Sequence, residues 1–159
     1  MKNIALIFVG CLFLFSCDSS RFFEENLKIS NENWSINDIK TFEVNISDTN
    51  SLMNLLVNVR HTSSYSFSNL WLFVKMTNPS GIIQTDTLEC ILAKPDGKWI
   101  GDGGITDLWS LRTNFNTQRF NKKGKYVFEI EQAMRYGEKA KLLNLEGVSD
   151  IGLRIETAN

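Results

Sequence analysis

The side chains that could carry out catalysis are few, and their spacing does not favour it. His61 is the only histidine among the 159 residues, so a multi-histidine metal site is excluded and a catalytic triad would depend on this one side chain. Its surroundings, residues 60–64 (RHTSS), are typical of a solvated turn. Asp86 and Glu89 are three residues apart in a strand-like segment, so they would point to opposite faces and could not act as a carboxylate pair. We therefore expect no catalytic residue, no metal site and no cofactor.

The N-terminal segment has the features of a secretory signal peptide. A lysine at position 2 precedes residues 4–15, all of which are apolar or glycine. As a helix this run would reach about 18 Å, short of the ~30 Å hydrocarbon core of a bilayer. A basic start followed by a short apolar run is typical of a cleaved export signal rather than a membrane span. We predict that residues 1–16 are removed.

The end of this signal predicts lipid attachment at Cys17. Leu14 lies three residues before the expected cleavage point, Ser16 lies directly before it, and Cys17 follows it. An aliphatic residue, a small residue and then cysteine form the lipobox of bacterial lipoproteins, in which the cysteine is acylated with fatty acids such as palmitate. Phe15 is larger than usual at its position, and the alternative is an ordinary cysteine beside a general cleavage site. Two or three acyl chains would anchor the protein to a membrane permanently.

The mature chain, residues 17–159, would be mildly acidic. Removing Lys2 from the 17 basic residues leaves 16 against 18 acidic ones, a balance that does not suggest nucleic acid binding. Cys11 is lost with the signal and Cys17 carries lipid, so Cys90 has no partner for an intrachain disulfide. Its strand-like surroundings indicate a small buried side chain rather than a nucleophile.

Apolar and polar residues alternate along most of the chain after residue 33. This period of two is typical of half-buried strands in antiparallel sheets, and turn sequences at 78–81 (NPSG) and 95–97 (PDG) separate the runs. Seven or eight such strands predict an antiparallel β-sandwich of the jelly-roll or immunoglobulin-like kind over residues 34–159. Residues 17–33 are predicted to be a tether. Residues 132–145 show helical spacing and predict one short helix or helical crossover.

The aromatic residues are the strongest indication of a binding surface. Most of the large rings are expected to lie in the core of the sandwich. Trp71 and Phe73 differ, because they alternate with Leu70 and Leu72 and therefore face the outside of their sheet. An exposed pair of rings can stack on a sugar or form the centre of a protein interface.

Several segments, taken in order, resemble the gliding motility lipoprotein GldH family of Bacteroidota. The resemblance covers essentially the whole mature chain and includes the lipoprotein signal together with residues 65–73 (YSFSNLWLF), 86–89 (DTLE), 97–101 (GKWIG), 126–135 (YVFEIEQAMR) and 151–156 (IGLRIE).

This resemblance implies a non-catalytic envelope lipoprotein that supports gliding motility and the associated type IX secretion machinery. It further implies that the protein stabilises or positions other gliding motility lipoproteins such as GldJ. The only residue role that it carries over is lipidation, at Cys17. We expect the outer membrane, although Asp18 would favour the inner membrane under the enterobacterial sorting rule. The alternative from a different class is a glycan-binding β-sandwich module of the cell envelope.

Overall fold

The computed structural model describes residues 19–103, 106–138 and 141–158. The predicted signal peptide (1–16) and lipidation site (Cys17) lie outside the described residues. Within the described part of the chain, no helix is long and apolar enough to cross a bilayer. The described elements are a 3-10 helix, Ser30–Glu32, and the strands β1 (Arg21–Lys28), β2 (Asn33–Ser35), β3 (Lys40–Ile46), β4 (Met53–Thr62), β5 (Asn69–Thr77), β6 (Ile83–Ile91), β7 (Asp102–Gly103), β8 (Leu108–Gln118), β9 (Gly124–Gln132), β10 (Asn144–Glu146) and β11 (Val148–Thr157).

The strands form two principal sheets, as the alternation predicts. The five-stranded sheet has the order β1-β11-β4-β8-β7, and the four-stranded sheet has the order β3-β9-β5-β6; β2 and β10 form a separate two-stranded ribbon. The strand pairs are antiparallel. Apart from the β5–β6 hairpin, the eight long strands alternate between the two principal sheets along the chain. This connectivity is that of a jelly roll, one of the two kinds of sandwich expected.

The core lies between the inner faces of the two principal sheets. In β3, for example, every second residue is buried and the residues between them are exposed. Full burial of one large apolar side chain contributes about 1.5–3 kcal/mol. Trp34 is completely buried, and its indole Nε1 donates a hydrogen bond to the Asp38 carbonyl at 2.8 Å. The largest other side chains that are almost wholly buried are Phe42, Ile46, Met53, Leu55, Leu70, Leu72, Leu92, Tyr126, Phe128, Ile130 and Leu145.

Both predicted turns are present. The Gly81 amide donates to the Asn78 carbonyl at 2.9 Å, which closes the turn between β5 and β6. The Gly97 amide donates to the Lys94 carbonyl at 2.9 Å, and Gly97 has a φ of 82°. Glycine suits this second position because it adopts a positive φ without steric cost.

The predicted tether is wrong over most of its length. Arg21–Lys28 is β1, which pairs with β11 along the edge of the five-stranded sheet. Phe22, Phe23 and Leu27 are partly buried and pack against the core. The burial of these apolar side chains and the ladder of backbone hydrogen bonds hold the segment in the sheet.

The helix predicted over residues 132–145 is also wrong for the part of this segment that the structure describes. After β9, the chain runs irregularly to Glu138, and it re-enters a strand at Asn144. Gly137 has a φ of 58°, a left-handed conformation that interrupts a helix. Tyr136 and Leu143 belong to the set of residues whose helical spacing led to the prediction. They are 67% and 70% exposed, whereas the apolar face of a packed helix would be buried.

Candidate functional site: an aromatic groove on the outer face of the four-stranded sheet

Trp71 and Phe73 lie on the outer face of β5, as the sequence predicts. Leu70 and Leu72, which alternate with them, are completely buried between the sheets. Trp71 is 37% exposed, and Phe73 is half-buried. Because β5 lies between β9 and β6, both rings project from the middle of the sheet rather than from its edge.

The two rings line a shallow cavity of about 300 Å³ that we call the aromatic groove. Its other lining residues are Thr87 from β6 and Ala133 and Arg135 from the segment after β9. Thr87 is directly opposite Phe73 in the ladder between β5 and β6, which places its hydroxyl group beside the ring. The aromatic groove therefore combines apolar ring faces with one hydroxyl and one exposed guanidinium group.

Backbone and sulfur contacts fix the floor of the aromatic groove. The Ala133 amide donates to the Trp71 carbonyl at 2.8 Å, and the Trp71 amide donates to the Met134 sulfur at 3.2 Å. The buried Gln132 side chain accepts a hydrogen bond from the Met134 amide at 3.1 Å and donates one to the Leu142 carbonyl at 2.6 Å. These hydrogen bonds satisfy backbone amides and carbonyls that would have been paired with each other if the segment were a helix.

Apolar surface continues beyond the aromatic groove on both sides. Phe73 also lines an adjoining cavity of about 320 Å³ together with Ile39, which is 44% exposed, and with four polar or charged side chains, Lys75, Thr85, Glu129 and Glu131. Ile91, at the end of β6, is 49% exposed and lies diagonally across the ladder from Trp71. Lys75 and Glu129 flank this surface and form an ion pair at 2.5 Å. We call this row of two rings and two isoleucines the apolar strip; Glu89 and Glu131 lie opposite its rings in the two ladders.

The remaining large aromatic residues are mostly covered, as expected. Trp34 is completely buried and Tyr65 is 3% exposed, whereas Trp99 and Trp109 are partly buried. The Tyr65 hydroxyl donates to the Asn69 carbonyl at 2.8 Å, just before the outward-facing part of β5.

His61 is not the solvated turn residue that the sequence suggests. It lies within β4, is completely buried, and packs edge-on against Trp99 with ring centroids 4.5 Å apart. Its Nδ1 atom lies 3.1 Å from the Thr62 carbonyl, and its Nε2 atom is buried without a hydrogen-bond partner. Burial lowers the pKa of His61, although the hydrogen bond to Thr62 opposes this shift. The imidazole is therefore held neutral in the core.

Cys90 is completely buried on the inner face of β6, which confirms its predicted character as a small core residue. Burial raises the pKa of its thiol to about 11, so the reactive thiolate is strongly disfavoured. Across the described residues, no three histidine, cysteine, aspartate or glutamate side chains converge as they would in a metal site.

The structure also shows a polar cluster that the sequence did not predict, on the outer face of the five-stranded sheet. The buried Arg154 guanidinium binds Glu24 at 2.7 Å and Glu156 at 2.6 Å. Glu24 also accepts hydrogen bonds from Arg112 at 3.0 Å and from Asn58 at 2.9 Å. No sequence pattern could identify the cluster, because its members come from four strands that only the sheet register brings together.

The fold and the aromatic groove together define an antiparallel β-sandwich with a ring-lined cavity on one outer face. Comparison with known sequences is more specific: the profile of the GldH lipoprotein family matches residues 21–155. The chain belongs to this family.

Two relatives match the chain over nearly its full length. It is 36% identical to the gliding motility lipoprotein GldH of Flavobacterium johnsoniae over 157 residues, which cover 98% of this chain and 97% of that protein. It is 34% identical to a gliding motility lipoprotein GldH homolog of Christiangramia forsetii over 156 residues, 96% of this chain and 94% of that protein. Among solved structures, dimeric latent PorU from Porphyromonas gingivalis matches 86% of this chain but 13% of its own length, with 8% identity and a TM-score of 0.37.

Proposed function

We propose that this chain is a non-catalytic lipoprotein of the cell envelope that supports gliding motility by positioning or stabilising partner lipoproteins of GldJ type. Membership of the GldH lipoprotein family and the names of its two relatives support a role in motility. Loss of this positioning would also impair type IX secretion, with which the gliding machinery is associated. The lipid anchor would be attached at Cys17, and the membrane would be the outer one.

The observation that carries the positioning role is the apolar strip centred on the aromatic groove. Its centre is formed by Trp71 and Phe73, exposed isoleucines extend it to either side, and charged side chains border it. Protein interfaces share this arrangement of a central aromatic anchor within a polar rim. A strip longer than one cavity suits a partner segment better than a single sugar ring.

A second candidate function is glycan binding. It is favoured by the shallow shape of the aromatic groove and by the polar Thr87 and Arg135 beside its rings. Sugars stack their apolar faces on aromatic rings while their hydroxyl groups bind polar neighbours.

The test is a crosslinked pull-down from intact membranes, comparing wild type with Trp71→Ala. Loss of a central interface aromatic costs about 2 kcal/mol or more, so recovery of partner lipoproteins should decrease by roughly 30-fold at limiting concentration. Trp71→Phe should restore part of this recovery. Leu143→Ala is the matched control, because Leu143 is 70% exposed and does not line the aromatic groove.

Unchanged recovery with Trp71→Ala would refute the positioning role of the aromatic groove. If a soluble envelope glycan displaces the partners from wild type, and Trp71→Ala does not bind that glycan, the second function is correct instead. Gliding speed and secretion of a type IX cargo, measured on the same strains, show whether the loss of partners affects the machinery.

Lipidation has its own test. Radioactive palmitate should label wild type, and Cys17→Ala should abolish the label. Incorporation that persists in Cys17→Ala would refute the assignment of the lipid site.

A further inference from the structure

One end of the sandwich contains the point at which the chain enters the first strand, and we call it the entry end. Arg21 begins β1 and pairs with Glu156 near the end of β11, while Thr157 pairs with Met53 at the start of β4. In the other sheet, Ile46 pairs with Gly124 at the start of β9. The loops at the entry end are therefore residues 47–52, 78–82 and 119–123.

Contacts between the loops show that they lie together at this end. The Arg119 side chain donates to the Asn50 carbonyl at 2.9 Å, which links the first and third loops. Lys122 Nζ donates to the Ser80 hydroxyl at 2.6 Å, which links the second and third. The entry end is thus a continuous surface formed from both sheets.

The chain available between the predicted lipid site and this surface is very short. The Ser20 carbonyl already accepts a hydrogen bond from the Thr157 amide at 2.9 Å, so pairing with the sheet begins there. Three residue steps separate Cys17 from Ser20, and they span at most about 11 Å. The headgroup region on each side of a bilayer is itself about 5–8 Å thick. A lipidated Cys17 would therefore hold the entry end directly at the membrane surface.

The entry end exposes apolar side chains next to the membrane that this tether implies. Ile82 is 64% exposed, the adjacent Ile83 is 58% exposed, and Leu52 is 37% exposed. Ile82 belongs to the closed turn between β5 and β6, where its amide donates to the Asn78 side chain at 3.0 Å. Solvent exposure of two consecutive isoleucines is unfavourable in water, and it is relieved at a lipid interface.

The loops of the entry end carry a net positive charge, which is complementary to anionic phospholipid headgroups. Its three loops contain Arg119, Lys122 and Lys123 as basic residues and Asp48 as the acidic one. The described segments that connect the long strands at the opposite end, residues 29–39, 63–68, 92–101, 106–107, 133–138 and 141–143, have four basic and five acidic residues. The excess positive charge is therefore on the loops nearest the predicted lipid site, where anionic headgroups would attract it.

We propose that the entry end is a membrane-docking surface, in which Ile82 and Ile83 enter the interfacial region of the bilayer and Lys122 and Lys123 contact anionic phospholipid headgroups. This proposal depends on lipidation of Cys17. The sandwich then has a fixed orientation relative to the bilayer, and the segment that joins it to the lipid anchor does not act as a flexible linker.

The test uses the full mature lipidated chain in vesicles of phosphatidylcholine and phosphatidylglycerol. A polarity-sensitive fluorophore is attached to Ile82→Cys, and nitroxide-labelled lipids provide the quencher. Ile91→Cys is the matched control: Ile91 is 49% exposed at the other end of β6, about 27 Å from Ile83 along the strand. The label goes to the introduced cysteine because Cys90 is buried.

We expect several-fold stronger quenching at position 82 than at position 91. Equal quenching at the two positions, or stronger quenching at position 91, would overturn the proposed orientation. Replacing both Lys122 and Lys123 with glutamate should weaken quenching at position 82, whereas the same change at Lys94 and Lys98 should not. No effect of the first double variant would overturn the headgroup contact.

The anchor is checked separately on the same samples. Mass spectrometry of the N-terminal peptide reports the acyl chains on Cys17, whatever the quenching result. A chain without these acyl chains refutes the anchor, whereas a lipidated chain with equal quenching refutes only the docking surface. The partner pull-down with Trp71→Ala is independent of both measurements.

Discussion

Glu24→Gln tests whether the polar cluster fixes β1 to the sheet. The change keeps the size of the side chain but removes the charge that faces Arg154, whose side chain is 5% exposed. Complete loss of one partner from a buried ion pair costs about 3–5 kcal/mol. Glu156 remains bound to Arg154, and glutamine can still accept a hydrogen bond, so we expect a smaller loss of about 2 kcal/mol.

Thermal unfolding and chemical denaturation at pH 7 measure this loss. A decrease of about 2 kcal/mol in the free energy of unfolding corresponds to a melting temperature lower by roughly 4–8 °C for a chain of this size. Glu25→Gln is the control, because Glu25 is the neighbouring acidic residue on β1 and is exposed. It should change the free energy of unfolding by less than about 0.5 kcal/mol.

The pH dependence of Glu24→Gln gives an independent check. Burial opposes ionisation of Glu24, but hydrogen bonds from Arg154 and Asn58 and the charges of Arg112 and Arg154 outweigh it and lower the pKa below the ordinary 4.5. A lowered folded pKa means that the ionised form contributes stability above pH 4.5, and that this contribution is lost as pH falls through the folded value. The difference between wild type and Glu24→Gln should therefore shrink below pH 4.5. A difference that is constant with pH, or a loss no larger than that of Glu25→Gln, would show that the cluster is not stabilising.

Two further substitutions and one labelling measurement test buried positions of the sandwich. The pKa of His61 is lowered in the folded state, so the free energy of unfolding of wild type should decrease as pH falls through the ordinary value of 6.5. In chemical denaturation between pH 7.5 and 5, the free energy of unfolding of His61→Phe should depend less steeply on pH. Equal pH dependence of the two proteins would contradict this prediction. Gly152→Ala should destabilise the fold by about 1–3 kcal/mol. The new Cβ would overlap the Asn26 side-chain oxygen, which can move aside, and would lie 2.9 Å from the Glu25 backbone carbonyl oxygen, which is held in the sheet. Wild-type stability in a thermal scan would disprove this prediction. Cys90 should not react with a thiol reagent at pH 8 until the chain unfolds, and rapid labelling of the native protein would contradict its burial.

The strands that alternate cleanly were predictable from the sequence, whereas β1 was not. Buried and exposed residues alternate throughout β3, and the sequence shows the same alternation. In β1, the register shifts between Arg21 and Phe23, and both Phe22 and Phe23 are partly buried. A bulge at an edge strand disrupts the period of two, so the segment looks like a polar tether with an apolar interruption.

The failed helix prediction at residues 132–145 has a related cause. Helical spacing of apolar residues indicates only which side chains could share one face of a helix. It does not show whether the backbone amides and carbonyls form hydrogen bonds outside a helix. Here Gln132 and the contact between the Leu142 amide and the Met134 carbonyl, at 3.0 Å, supply such partners. These bonds connect residues on either side of a chain reversal, which local patterns do not reveal.

Two of the five residues that line the aromatic groove could be predicted from alternation alone. Because Leu70 and Leu72 are apolar and alternate with Trp71 and Phe73, one pair must face outward once the other faces the core. The other walls of the aromatic groove come from β6 and from the segment after β9. Their position depends on long-range strand register, which this sequence does not specify by any local signal.

The orientation that we propose for the entry end also makes the aromatic groove more accessible to a partner. Trp71 lies near the start of β5, whereas Thr77 lies at its other end, beside the turn that contains Ile82. If the strands run along the membrane normal, the six residue steps between the two residues place Trp71 about 20 Å farther from the bilayer than Thr77. A groove at that height faces other envelope proteins rather than lipid. The short connection to Cys17 would therefore hold the groove at a defined height and direction, which a positioning role requires and a flexible tether could not provide.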